Sequence, residues 1–185
     1  TGKVIPERAF SKRQYHKMIF EPIQKAVAPY NSANILDPVW LNSRGAIARF
    51  DRGSIEIRLL DIQECPKADL AISALIIATL KMLTSEKTCD FHQQQAQTVN
   101  DMHGILQQCI KDAETATISN QKYLELFGVE ASSMTAGDLW KHILELAKVH
   151  QPVFIGPWLE TLQIILKKGT LATRIITSLD GIYTD

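Results

Sequence analysis

The chain has 185 residues, with 20 Lys and Arg against 20 Asp and Glu, so its formal charge is zero. That balance excludes a nucleic-acid or membrane-surface binder working through a bulk field. A composition 45% apolar and 22% charged excludes long disorder and provides for a buried core. The chain begins at Thr1, not Met, which reads as processing or as a piece of something longer. Its first ten residues, with Gly2 and Pro6, read as a loop without the apolar segment of a signal peptide. Ser11 is a candidate N-cap, and Lys12 to Val27 reads as a helix with Tyr15, Ile19, Ile23 and Val27 at four-residue intervals. Pro22 sits inside that pattern and predicts a kink or a shifted start. Pro29, Asn31, Ser32, Asn34, Asp37 and Pro38 mark a loop.

The period then changes. Ala46 to Phe50 and Ser54 to Leu60 read as two strands joined by Asp51-Arg52-Gly53, a three-residue hairpin turn. In the second strand Ile55, Ile57 and Leu59 share one face, and Ser54, Glu56, Arg58 and Leu60 the other. Pro66 opens a helix to about Leu83 that is apolar nearly all round, which predicts burial on several sides. Its apolar stretch from Ala68 is too short to span a bilayer and is broken by Asp69, Ser73 and Lys81. From Asp90 onward everything reads as helix: Asp90 to about Ala113, Gln121 to Phe127 ended by Gly128, Thr135 to about Val149, Pro157 to Leu166, and Leu171 to Leu179.

Chemistry concentrates between Trp40 and Pro66. Four of the chain's seven arginines, at 44, 49, 52 and 58, fall within 15 positions. Arg forks take carboxylates and phosphates bidentately. Glu56 and Arg58 on one strand face set an anion beside a cation, which suits a divalent ion on Glu56 and its phosphate on Arg58. The bland alternative is a solvated strand face carrying a salt bridge worth little. Two features point away from it. The apolar helix that follows predicts a hairpin packed deep in a larger body, and Ala46 and Ala48 on the facing strand would leave room above a polar floor.

Ser54-Ile55-Glu56-Ile57-Arg58-Leu59-Leu60-Asp61, followed by an Ala-rich apolar helix, resembles the glutamate–cysteine ligase family of the second type, the carboxylate–amine ligases. Their signature reads roughly Gly-Thr-x-Glu-x-Arg-x-x-Asp. The segment is similar more distantly to glutamine synthetase. Upstream, Asn42-Ser43-Arg44 and then Arg49 resemble that superfamily's two arginines five residues apart. Gly169-Thr170-Leu171-Ala172-Thr173-Arg174-Ile175 resembles the end of such ligases. The resemblance is dense over 39–80 and thin over 85–165. It implies an ATP-dependent reaction in which the γ-carboxylate of glutamate takes the γ-phosphoryl group of ATP and an amine, that of cysteine in this family, displaces phosphate. Glu56 would then ligate Mg²⁺. Arg58 and Arg49 would act on the transferring group, and Arg44, Arg49 and Arg58 would bind the nucleotide phosphates or the substrate carboxylate. Such chemistry is mostly positioning and charge stabilisation, and needs no nucleophilic side chain.

The interval between Arg49 and Glu56 is shorter than in glutamine synthetase, and Arg52 sits at the hairpin tip. Such ligases are also about twice this length, and their first half carries a Gly-x-Glu-x-Glu strand with further metal ligands. The expectation is therefore an α+β chain, the C-terminal half of a ligase, with residues 1–85 carrying the hairpin and buried helix and 86–185 a helical region of the same domain. The hairpin would belong to a glutamine synthetase-like sheet completed by the N-terminal half, and the chain alone would be inactive. Glutamate and an amine are the expected substrates, with no nucleic acid and no membrane. Three cysteines without a dense framework indicate a reducing, cytoplasmic setting. The helices after residue 90 are open as a lid or a homo-oligomer interface. Alternatives are a helical interaction module that kept the fold without the chemistry, and a γ-glutamyl ligase for another amine. Cys89-x-x-His92 and His103 with Cys109 could suggest zinc, but the second pair lacks tight spacing and the stretch reads as helix. Cys65 reads as a small buried residue, and Trp40, Trp140 and Trp158 as core or interface.

Overall fold

The computed structural model describes residues 3–179. The chain divides into two compact units, residues 1–61 with 98–103, and residues 62–97 with 104–185. The class is α+β: mostly helix, with two small antiparallel hairpins.

In the first unit, helix runs from Lys12 to Val27, started by the Ser11 side chain accepting from Gln14 N at 3.1 Å. The expected disturbance at Pro22 is present as a π-type turn over His16–Phe20, where Glu21 N–H reaches back to His16 O. Pro22 lacks the N–H that would close the next α-type bond, and a widened turn before it absorbs that loss without ending the helix. Tyr15 and Ile19 on this helix are buried. After the short helix Pro38–Leu41, strand β1 (Ala46–Arg49) pairs antiparallel with β2 (Ser54–Ile57).

The hairpin corrects two expectations. Its loop is four residues, 50–53, with Gly53 at φ +62, and the register sets Ala46 opposite Ile57, Ile47 opposite Glu56, Ala48 opposite Ile55 and Arg49 opposite Ser54. A three-residue loop would place Ala48 opposite Glu56. One residue of slip exchanges the faces, so the alanines lie on the Ile55/Ile57 side and Ile47 lies beside Glu56. The second correction concerns which side is covered. Ile47 is fully buried, whereas Ile55 is 60% exposed and Ile57 and Leu59 are also exposed. The face of Ile47 and Arg49 is the covered one, with Glu56 and Arg58 at its rim about one-third exposed, and the face of Ile55 and Ile57 is open.

The second unit is built on helix Pro66–Thr84. Its buried stripe is Ala68, Ala71, Ala74, Leu75, Ala78, Thr79 and Met82, while Leu70 and Ile77 are exposed, so it is covered on one side rather than all round. Small residues at this spacing let neighbouring helices approach closely. Ala136–His150, Pro152–Ile155 and Leu159–Lys168 pack against it and enclose Leu124, Ile143, Ala147, Ile155 and Leu162. The long helix expected from Asp90 is two, Phe91–Ala96 and Val99–Asp112. Asp90 and Gln93 form a capping box on the first, and Thr98 caps the second by accepting from Asp101 N at 3.1 Å. Strands β3 (Thr117–Ile118) and β4 (Met134–Thr135) form a minimal hairpin within a stretch that reads entirely as helix. Cys65, expected to be buried, is exposed, and so is Trp40, at 80%.

Candidate functional site

The inward face of the β1–β2 hairpin carries Arg49, Glu56 and Arg58 side by side, as the register dictates. Arg49 Nη1 donates to Glu56 Oε2 at 2.7 Å, and Arg58 Nε donates to Glu56 Oε1 at 2.7 Å. Arg49 also holds Asp51 through Nε and Nη2, both at 3.2 Å. Glu56 is thus clamped between two guanidiniums, first Arg58 and then Arg49, which hold its carboxyl below the usual carboxylate range. The pairs with Asp51 and Glu56 push the Arg49 guanidinium further up. Arg49 is the most covered of the three, with its side chain 14% exposed.

A second tier lies around Asn42, which is fully buried. Its main-chain oxygen accepts from Arg58 Nη1. Its side-chain Oδ1 accepts from Arg44 N at 3.3 Å and Arg44 Nη1 at 3.1 Å. The other two nitrogens of Arg44, Nε and Nη2, form a bidentate pair with Glu7. That pair lowers the Glu7 carboxyl and raises the Arg44 guanidinium. Asn42 Nδ2 donates to the Tyr15 hydroxyl at 3.1 Å. Of the residues singled out from the sequence, Arg44, Arg49, Glu56 and Arg58 therefore join one web. Among the described residues Arg52 reaches only Asp51, at 3.3 Å, and it is largely solvated. Glu7, Tyr15 and Asn42 are members that sequence reasoning did not assign. Tyr15 reads as core from its spacing, and nothing in a loop residue such as Glu7 announces a partner 37 positions away.

In the web Arg44, Arg49 and Arg58 are paired with Glu7, Asp51 and Glu56. Among the described residues, no group of three or more His, Cys, Asp or Glu could hold a metal ion. Glu56, held ionised, would offer a divalent ion one carboxylate ligand. Both of its oxygens already accept from arginine, so metal binding would exchange one guanidinium for the ion. A shallow cavity of about 590 Å³ in the first unit is lined by Gln24, Asn31, Asn34, Leu36 and Asp37 among others, and none of the arginine-web residues lines it.

The C-terminal motif lies in the second unit. Arg174 makes a bidentate pair with Glu64, at 2.5 and 3.2 Å. Glu114 accepts from Thr170 N at 3.3 Å and Thr173 Oγ1 at 3.0 Å, at the start of helix Leu171–Leu179. No helix among the described residues is long and apolar enough to cross a membrane.

No family model matches the chain, and no solved structure matches it. An uncharacterized protein of Archaeoglobus fulgidus is 39% identical over 90 residues, which are 47% of this chain and 23% of that protein. The chain thus spans about a quarter of the length of that relative.

Proposed function

We propose that the chain carries part of the active site of an ATP- and Mg²⁺-dependent ligase that joins the γ-carboxylate of glutamate to an amine, most simply that of cysteine. The observation that carries this reading is the inverted hairpin. A free two-stranded hairpin gains by covering Ile55, Ile57 and Leu59 and leaving Glu56 and Arg58 in water. This one leaves Ile55, Ile57 and Leu59 exposed and sets Arg49 and Arg58 on one ionised, partly covered glutamate, with Arg44 joined to them through Asn42. Guanidiniums held in place beside a carboxylate suit a transferring phosphoryl group and the metal ion that accompanies it. On this reading Arg44, Arg49 and Arg58 bind nucleotide phosphate or substrate carboxylate, and Glu56 is one metal ligand. The single carboxylate supports a second element of the reading, that further polypeptide supplies the remaining ligands and that the chain alone does not turn over.

Calorimetric titration of the chain with ATP, with and without Mg²⁺, tests the assignment. Mg²⁺-dependent binding that is lost in Glu56→Ala and in Arg58→Ala supports it; binding unchanged in both variants refutes it. The exposed apolar face of the same hairpin favours a second reading, a non-catalytic interaction module, in which the chain binds no nucleotide with or without Mg²⁺.

A further inference from the structure

We infer that Tyr15 is a positioning residue of the arginine web, acting through Asn42 on Arg44 and Arg58; its functional meaning rests on the reading above. Tyr15 is 8% exposed, and its ring is fixed by edge-on contacts with Phe20 and Phe50, each with centroids 5.3 Å apart. Its hydroxyl oxygen accepts twice, from Asn42 Nδ2 at 3.1 Å and from the backbone N of Ala48 in β1 at 3.2 Å. The second bond ties the helix to the edge of the hairpin. The first anchors the buried Asn42 amide, whose orientation is set by Arg44, a donor only, at Oδ1. With Nδ2 committed to Tyr15, Oδ1 faces Arg44 N and Nη1. Turned over, the amide would set its NH₂ against two donors, and Arg44 would lose its acceptor.

The same residue fixes Arg58. Asn42 O takes Arg58 Nη1 and Glu56 takes Nε, so two of the three guanidinium nitrogens are committed. Nη2 has no acceptor among the described residues and is the nitrogen presented to an incoming anion. A guanidinium fixed at two nitrogens presents the third in one direction, so less freedom is lost on binding. By anchoring the Asn42 side chain, Tyr15 helps to hold the main-chain oxygen that fixes a donor it does not touch.

Tyr15→Phe in the full ¹⁵N-labelled chain removes the hydroxyl and keeps the ring contacts. The expected result is that hydrogen exchange at Arg58 Nε and Arg44 Nε accelerates by about tenfold or more, and that the Mg²⁺–ATP dissociation constant rises by about tenfold. The second-unit backbone signals should stay in place. In an Arg58→Ala background the affinity effect of Tyr15→Phe should shrink. An equal fold-loss in both backgrounds means a merely structural role and overturns the inference, as do unchanged arginine signals. A wild-type chain that binds no Mg²⁺–ATP sinks the functional reading, while the arginine signals still decide the positioning claim. Should Tyr15→Phe fail to fold, the unsubstituted chain decides the question. Slow exchange of the Asn42 Nδ2 protons, with magnetisation transfer to the Tyr15 ring, supports the strut, and their absence overturns it.

Discussion

The hairpin register can be decided by two substitutions, Ile47→Ala and Ile55→Ala. In the observed pairing the two side chains lie on opposite faces, with Ile47 fully buried and Ile55 60% exposed. Truncating a fully buried Ile costs about 2–4 kcal/mol, the transfer of three carbons plus a cavity that relaxes only in part. Ile55 has less than half of its surface to lose, and no closed cavity forms at an open face, so its truncation should cost under about 1 kcal/mol. Because the chain has two compact units, a global melt would mix them. Native-state hydrogen exchange of the amides in 46–58 reads the first unit directly. At about 1.4 kcal/mol per tenfold, Ile47→Ala should reduce protection by roughly 30- to 700-fold and Ile55→Ala by less than about fivefold. In the register of a three-residue turn, Ile47, Ile55 and Ile57 would share one face and their costs would rise or fall together. Comparable losses from both substitutions would refute the inverted hairpin.

Three other outcomes follow from particular contacts. Arg44 holds the Glu7 carboxyl below its ordinary value, so in acid the unfolded chain binds protons that the folded chain does not. The stability this pair contributes is therefore present above the ordinary Glu value, about 4.3, and is lost as pH falls through the depressed one. Exchange in 44–58 should accelerate in that window, and Glu7→Gln should flatten part of the acid dependence while weakening the unit at neutral pH. Gly169→Ala forces a left-handed residue, φ +86, and drives the new methyl into the Glu114 carboxylate that caps the last helix. The expected cost is about 1–3 kcal/mol, seen as loss of amide protection confined to 171–179. Met82→Ala, at a site 1% exposed in the main core, should cost about 2–5 kcal/mol in urea unfolding followed by Trp158 fluorescence.

Most element types are legible in the sequence because they rest on local chemistry. Ser11, Asp90 and Thr135 each sit before an apolar period and each caps a helix. Pro66 opens the long helix, and Gly128 ends a short one in the left-handed region. Faces and breaks are less legible. Periodicity says which residues share a side of β2, but not which side is covered, since that depends on what the rest of the unit brings. The turn chemistry of Asp51-Arg52-Gly53 suits three residues or four, and the choice exchanges the faces. The break at Gln97–Thr98 has a signal that the helical period around it masks, because Thr98 and Asp101 have the spacing of a cap. The two-residue strands β3 and β4 are too short to leave a period. At the candidate site, the cluster of arginines is visible as composition. The tie that organises it, a Tyr hydroxyl 27 positions from a buried Asn amide, has no one-dimensional signature.

The energetics of the web bear on whether it is merely structural. Taking charges out of water is costly, and ion pairs with excellent geometry do little more than offset that loss, so apolar residues of similar volume commonly serve stability as well or better. Here apolar side chains are at hand. Ile55, Ile57 and Leu59 lie on the same two-stranded ribbon, and the alternative loop length would bring Ile47 onto their face. The chain leaves three of these four on the open side and places Arg49 on the covered one, with Glu56 and Arg58 at its rim. A web selected for stability alone would be expected to use them the other way round. On the proposed reading, the Arg58 nitrogen without an acceptor among the described residues is the donor left for an anion. The apolar face left outside is the counterpart of that arrangement, because a two-stranded ribbon can turn only one of its faces inward.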